Sequence, residues 1–308
     1  MRILLVGSGG FLGTWVKNKI KDYKNYELVE IKGKQQLDIT DLREVDSYFK
    51  KNNPNIVINC SAFVGGISYG YKYPAKMLSI NSQMALNLYK VSADYNVEKL
   101  INPISNCAYP EHLTTYRESE LNDGPPHISV YNYAKSKRLF VDLGKSYFDE
   151  YNFSSVNVVL SNMYGPFDHF DEERSHALGA LVKKICQAKL NNFPTVTIWG
   201  TGKPIREWLY VEDGAMSLLK SIDLDEGHHF FNFGVEKGIS IIDLAELIRS
   251  EVGWEGKFVF DKSKPDGVLE KKVDGNHGTN LIKYSPDTTL VDGISKTVQW
   301  YMKNYESS

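Results

Sequence analysis

Residues 3–13 run from a short β-branched stretch, Ile3 to Val6, straight into Gly7-Ser8-Gly9-Gly10-Phe11-Leu12-Gly13. Phe11, Leu12, Trp15, Val16 and Ile20 then recur at helical spacing. The order is therefore strand, glycine turn, helix. Glycines at 7, 10 and 13 permit a tight turn, close approach of backbone to a pyrophosphate, and close packing of helix on strand. The helix N-terminus adds unpaired N–H groups and a favourable dipole. Glycine-rich turns are common on protein surfaces, but one placed between a strand and a helix points to dinucleotide binding at Gly7, Gly10, Phe11, Leu12 and Gly13.

The alternation continues. Strands are expected at Leu28–Ile31, Ile56–Asn59, Leu100–Asn102 and Val156–Leu160, with helices over Ala75–Tyr95 and Asn132–Tyr147. This implies an α/β fold with a doubly wound parallel sheet of Rossmann type. After Gly165 the pattern changes: aromatic and charged residues crowd Phe167 to His176, a helix-like stretch follows, and Val196–Trp199 reads as a strand. Ser240 with Asp243 resembles a helix cap. The expected division is a dinucleotide-binding domain over residues 1–165, with later segments returning to the sheet. A smaller substrate-binding lobe over 166–308 then closes a cleft.

At 308 residues, 42% hydrophobic and 24% charged, the chain has an ordinary globular balance. Its formal net charge of −2 argues against nucleic acid as a partner. Cys60, Cys107 and Cys186 lack metal-ligand spacing and read as reduced thiols, with no metal site. The apolar run Ile3–Val6 is too short for a signal peptide, and no run approaches the roughly 20 residues of a membrane span. A cytoplasmic protein without membrane contact is expected.

Beyond the second strand, Glu30 would suit the ribose hydroxyls of NAD, whereas Lys32 and Lys34 would suit the extra phosphate of NADP. NADP(H) is preferred, with NAD(H) the alternative. Asp38, after Leu37, would face the adenine. In Tyr131-Asn132-Tyr133-Ala134-Lys135, Tyr131 and Lys135 stand four apart on one helical face. The lysine would stabilise the phenolate and orient the cofactor ribose, and the tyrosine would pass a proton to a carbonyl oxygen as hydride arrives. Ser105, at the end of an expected strand, would hydrogen-bond the same oxygen.

With these residues in place the chain resembles the extended short-chain dehydrogenase/reductases and, among them, the GDP-L-fucose synthase family. The similarity runs through Val64-Gly65-Gly66-Ile67, Ser105 to Pro110, the Tyr131/Lys135 pair, Asn162-Met163-Tyr164-Gly165-Pro166 and Ser175-His176. It continues through Trp199-Gly200-Thr201-Gly202-Lys203-Pro204, Arg206-Glu207 and Ser263-Lys264-Pro265-Asp266-Gly267. The resemblance implies a reductive triad of Ser105, Tyr131 and Lys135, and a proton-transfer pair, Cys107 and His176, for epimerisation. A ketone at C4 acidifies the protons on C3 and C5, which a thiolate or imidazole can remove. It further implies cofactor contacts at Ile39 and Ala62, and a GDP-linked keto sugar held by Asn162, Lys184, Trp199, Arg206 and Lys271. Cations suit the diphosphate there, and an indole suits a base or sugar face. A homodimer through helices near 75–95 and 131–147 is implied as well.

The chain departs from the family at Ser8 and Gly9, where a basic residue is usual, at Asn106, where a second serine is usual, and at Leu160-Ser161 and Ala177-Leu178-Gly179. The sugar is therefore open between a 6-deoxyhexose and a heptose, and C3/C5 epimerisation is open alongside 4-reduction. Two other readings stay on the table: a nucleotide-sugar 4-epimerase that keeps NAD bound, and a dinucleotide-sensing regulatory protein without turnover.

Overall fold

The computed structural model describes residues 1–171, 174–264, 266 and 268–305. Pro265 and Gly267 of the expected Ser263–Gly267 segment lie outside the described residues. The first half contains β1 (Arg2–Val6), α1 (Phe11–Ile20), β2 (Glu27–Ile31), α2 (Leu42–Asn52), β3 (Ile56–Asn59) and α3 (Ile67–Lys72). It continues with α4 (Pro74–Asp94), β4 (Lys99–Ser105), β5 (Thr115–Tyr116), α5 (Tyr131–Tyr151) and β6 (Ser155–Leu160). The second half contains β7 (Asn162–Tyr164), α6 (Ala177–Leu190), β8 (Thr195–Trp199), β9 (Ile205–Tyr210), α7 (Val211–Lys220) and β10 (His228–Phe233). β11 (Gly238–Ser240), α8 (Ile241–Val252), β12 (Lys257–Asp261), β13 (Glu270–Val273), α9 (Asn276–Ile282) and α10 (Leu290–Tyr305) complete it.

Six strands form a wholly parallel sheet in the order β10-β6-β4-β3-β1-β2. Its strands are near-continuous apolar runs because both faces are covered. In β1, Ile3 and Leu5 face one core, which also takes Val16 of α1 and Leu218 of α7. Leu4 and Val6 face the other, with Phe49 of α2, Leu88 of α4 and Phe140 of α5. Each such side chain contributes roughly 1.5–3 kcal/mol of transfer free energy, which chain entropy largely offsets. The Rossmann-type doubly wound sheet is thus present, and β1 is its switch point: β2 lies on one side and β3 on the other. A crevice opens there at the carboxyl ends of the strands.

The remaining strands build a smaller mixed sheet, β11-β9-β13-β5 with β7 on β9, and a parallel pair, β12-β8. They pack through a third core containing Tyr164, Leu181, Ile185, Trp208, Leu244 and Ile248. Ser240 caps α8 as its spacing suggested, its Oγ accepting from Asp243 N at 3.1 Å. Two elements of the later chain, α7 and β10, belong to the main sheet layer. Glu207 of β9 ties three segments of the later chain together. It is fully buried, and its carboxylate accepts from the N–H groups of Val235 (2.6 Å), Glu236 (3.2 Å) and Val273 (2.7 Å). Among the described residues no helix is long and apolar enough to cross a membrane.

Candidate active site

The glycine loop is shaped by contacts that only glycine tolerates. Gly7 has φ +82°, and a Cβ there would lie 2.8 Å from the Cys60 carbonyl carbon and from Ser61 N. A Cβ on Gly13 would lie 2.0 Å from Gly7 O, so α1 meets the turn too closely for any side chain. Gly10 caps α1 without a side-chain hydrogen bond, which leaves the first-turn N–H groups of Phe11 and Leu12 facing the crevice mouth. The Ser8 hydroxyl is buried in the same loop with no hydrogen-bond partner among the described residues. Uncapped N–H groups and an unanswered hydroxyl suit a pyrophosphate.

At the tip of β2 the charges sort themselves. Glu30 is paired with Lys17 of α1 at 3.1 Å, which turns it away from the ribose role considered for it. Lys34 is paired with Asp38 at 2.8 Å, and Asp38 also accepts from Thr40 N (3.0 Å) and Thr40 Oγ1 (2.6 Å). Lys32 is exposed beside Gly9, whose Cβ would meet the Lys32 carbonyl oxygen at 3.2 Å. Its ammonium has no protein partner among the described residues. Ile39 is buried in the core below, and Ala62 is half-buried just past β3. Nothing in the spacing singled out Asn81 of α4, yet its side chain clamps that segment, bonding Phe63 N (2.8 Å), Phe63 O (2.9 Å) and Met77 O (2.7 Å).

On the other side of the crevice β4 ends at Ser105, whose Oγ accepts from Cys107 N at 3.2 Å and caps a short turn over Asn106–Ala108. Arg138 of α5 holds this turn, its Nε donating to Ala108 O at 2.6 Å and its Nη2 to Gly124 O at 2.9 Å.

The structure places the expected tyrosine–lysine pair on the exposed side of α5. Tyr131, the first residue of α5, is 36% exposed, and Lys135 is exposed. Lys135 Nζ lies 6.0 Å from the Tyr131 ring, but both face outward, beside Arg138 and Asp142. The same Tyr-x-x-x-Lys spacing recurs two residues on as Tyr133 and Lys137. Two residues turn a helix by about 200°, so the second pair occupies the opposite side. Lys137 is buried, donates to Pro103 O at 3.0 Å, and sits 5.7 Å from the Tyr133 ring. Burial pulls its ammonium down to about 8, with Cys60 partly opposing. Burial pushes the Tyr133 phenol well up, and the nearby Cys107 adds to this. The crevice therefore holds Ser105, Cys107, Tyr133 and Lys137, and Tyr131 and Lys135 lie outside it.

Further out, β9 and β13 place Arg206 and Lys271 directly opposite each other in the strand register. Both are driven below their usual ranges, first by burial. For Lys271 the Arg206 charge adds to this, while the Cys107 thiol opposes it. Two neighbouring, poorly solvated cations suit a polyanion. Asp266 anchors the neighbouring turn by accepting from Thr201 N (2.6 Å) and Thr201 Oγ1 (2.7 Å). Lys184 donates to Thr197 O at 3.1 Å, and its Nζ and that of Lys264 each lie 5.5 Å from the Trp199 ring. That indole is 62% exposed and forms an open platform on the rim. Asn162 braces the interior: its Nδ2 donates to Glu207 O at 2.9 Å and its Oδ1 accepts from Asn106 Nδ2 at 3.5 Å. His176 is the N-cap residue of α6; its side chain is exposed and makes no cap hydrogen bond.

Comparison with known proteins identifies the family. The chain is 33% identical over 304 residues to GDP-L-fucose synthase 1 of Arabidopsis thaliana, covering 98% of this chain and 94% of the relative. An NADP-bound GDP-L-fucose synthetase from Naegleria fowleri superposes with a TM-score of 0.89 at 29% identity, covering 100% of this chain and 95% of that one. A GDP-6-OMe-4-keto-L-xylo-heptose reductase from C. jejuni superposes with a TM-score of 0.90 at 25% identity, covering 98% and 97%. The model of the NAD dependent epimerase/dehydratase family matches residues 3–234, and the chain belongs to that family.

Proposed function

We propose that this enzyme uses NADPH to reduce the C4 ketone of a GDP-linked 4-keto sugar. The observation that carries the reading is the line of groups from Lys137 through Tyr133 and Cys107 to Lys271 and Arg206. It joins a dinucleotide crevice to a polyanion site. The relatives named for GDP-fucose synthesis and GDP-heptose reduction support the same substrate class.

The cofactor, when bound, supplies hydride to C4. Every other task falls to side chains of this protein. The Ser105 hydroxyl and the Tyr133 phenol hold the C4 oxygen between them. Tyr133, kept protonated by its surroundings, donates its proton as negative charge develops on that oxygen. Lys137 stabilises the phenolate left behind and holds the ribose. Phe11 and Leu12 offer N–H groups to the pyrophosphate, with Gly10 closing the turn by donating to Gly7 O at 3.1 Å, and Lys32 takes the 2′-phosphate that marks NADP(H). Arg206 and Lys271 hold the sugar diphosphate, with Trp199 and Lys184 at the nucleotide end.

Steady oxidation of NADPH on addition of GDP-4-keto-6-deoxymannose, or of the corresponding keto heptose, is the test. Interconversion of 4-hydroxyl epimers on retained NAD, without net NADPH consumption, would make the protein a 4-epimerase. Dinucleotide binding with no turnover would make it a sensor. A second activity is favoured by the Cys107 thiol, which interacts electrostatically with Tyr116, Tyr133 and Lys271 inside the same pocket. With His176 as partner it would exchange the protons on C3 and C5. Deuterium from heavy water should then enter the keto sugar without NADPH and fail to enter with Cys107→Ser.

The reading includes a homodimer built on α4 and α5. Leu78 and Leu86, on one side of α4, and Tyr131 and Tyr151, at the ends of α5, leave apolar surface exposed. Sedimentation at twice the monomer mass is the expected result. The three unbridged cysteines suit the reducing cytoplasm.

A further inference from the structure

We infer that Tyr116 is a further substrate-contacting residue, its phenol donating a hydrogen bond to an oxygen of the sugar between the reacting carbon and the diphosphate. This rests on the function proposed above.

Tyr116 belongs to the short strand β5, paired with β13 at Val273, two residues past Lys271. Its backbone carbonyl accepts from Asn232 Nδ2 and from Asp274 N, both at 2.9 Å. Its ring stacks on Tyr109 with centroids 4.8 Å apart and planes within 5°, and Tyr109 is itself fixed by donating to Asn232 Oδ1 at 2.7 Å. Backbone and ring are therefore immobilised from two sides. The residue is only 1% exposed.

The hydroxyl has no hydrogen-bond partner among the described residues. Tyr109 beside it uses its own hydroxyl inside the fold, whereas that of Tyr116 reaches towards Cys107 and Arg206. A phenol this firmly held, with its hydroxyl bonded to no group among the described residues and open at the pocket, is placed to donate to a ligand there. Burial and the Cys107 thiol push the phenol upward, which keeps it a donor at neutral pH. Tyr116 is in register with Val273, and Lys271, two residues back on β13, is in register with Arg206, so the phenol shares the sheet face of the cation pair, with Cys107 of the reacting end as its other neighbour. The acceptors there are the ring oxygen and the ring hydroxyls, and the phosphoryl oxygens are already met by Arg206 and Lys271.

The test compares GDP with GDP-mannose by titration calorimetry on the full chain. Tyr116→Phe keeps the stacked ring and deletes only the hydroxyl. GDP-mannose should bind about tenfold more weakly to the variant, with the affinities for GDP and NADPH and the melting temperature unchanged. Equal weakening for GDP would move the contact to the diphosphate and overturn the inference, as would unchanged GDP-mannose affinity. A wild-type protein that binds neither GDP nor GDP-mannose would instead overturn the proposed function itself.

Discussion

Replacing Tyr133 by phenylalanine removes one oxygen from the crevice and leaves α5 intact. The half-buried ring keeps its contact with the Lys137 ammonium, 5.7 Å from its centroid, so the fold should not change. What is lost is the proton donor for the C4 oxygen. A positioned general acid is worth roughly 10²- to 10⁴-fold, or about 2.7 to 5.4 kcal/mol of barrier. The upper part of that range applies, because burial and Cys107 hold the phenol protonated and water cannot easily replace it. Initial rates of NADPH oxidation, read at saturating keto sugar, should fall by about 10³-fold or more. Tyr131→Phe, on the outward face, should stay within about twofold of wild type, since exposed substitutions distant from the site are nearly neutral. The reverse order of losses, or a Tyr133→Phe variant with undiminished rates, would refute the placement of the reductive pair.

Three other outcomes follow from the same geometry. Lys32→Glu should lower kcat/KM for NADPH by roughly ten- to a hundredfold and shift the preference towards NADH, measured by parallel initial-rate series. Gly13→Ala should abolish NADPH binding by fluorescence titration, because its Cβ would sit 2.0 Å from Gly7 O and neither backbone segment can retreat. Lys137 has a folded-state pKa of about 8, below that of an exposed lysine. Its buried charge therefore destabilises the fold below pH 8, and the penalty is relieved as pH rises towards the unfolded value. Urea unfolding should show wild type gaining about 2 kcal/mol relative to Lys137→Met between pH 8 and 10, and a flat difference would contradict the burial of that ammonium.

Much of the protein was readable before any coordinates. The glycine loop follows a strand and opens a helix, and its purpose shows in residue type alone, since nothing larger than glycine fits at 7 or 13. The parallel sheet was equally legible, because strands buried on both faces become unbroken apolar runs such as Ile3–Val6. Helix and strand periods are local properties, so a linear string carries them. The choice between Tyr131/Lys135 and Tyr133/Lys137 is not local: both pairs have the same spacing on the same helix. Only the docking of α5, with Ala134, Lys137, Phe140 and Val141 turned inward, decides which faces the crevice. The pairing of Arg206 with Lys271 likewise depends on the register of β9 against β13, and the Tyr116 hydroxyl reaches the pocket only because β5 joins that sheet. Spacing along the chain dictates what one element can present; which presented groups meet is settled by packing between elements distant in sequence, where the burial that orients them arises.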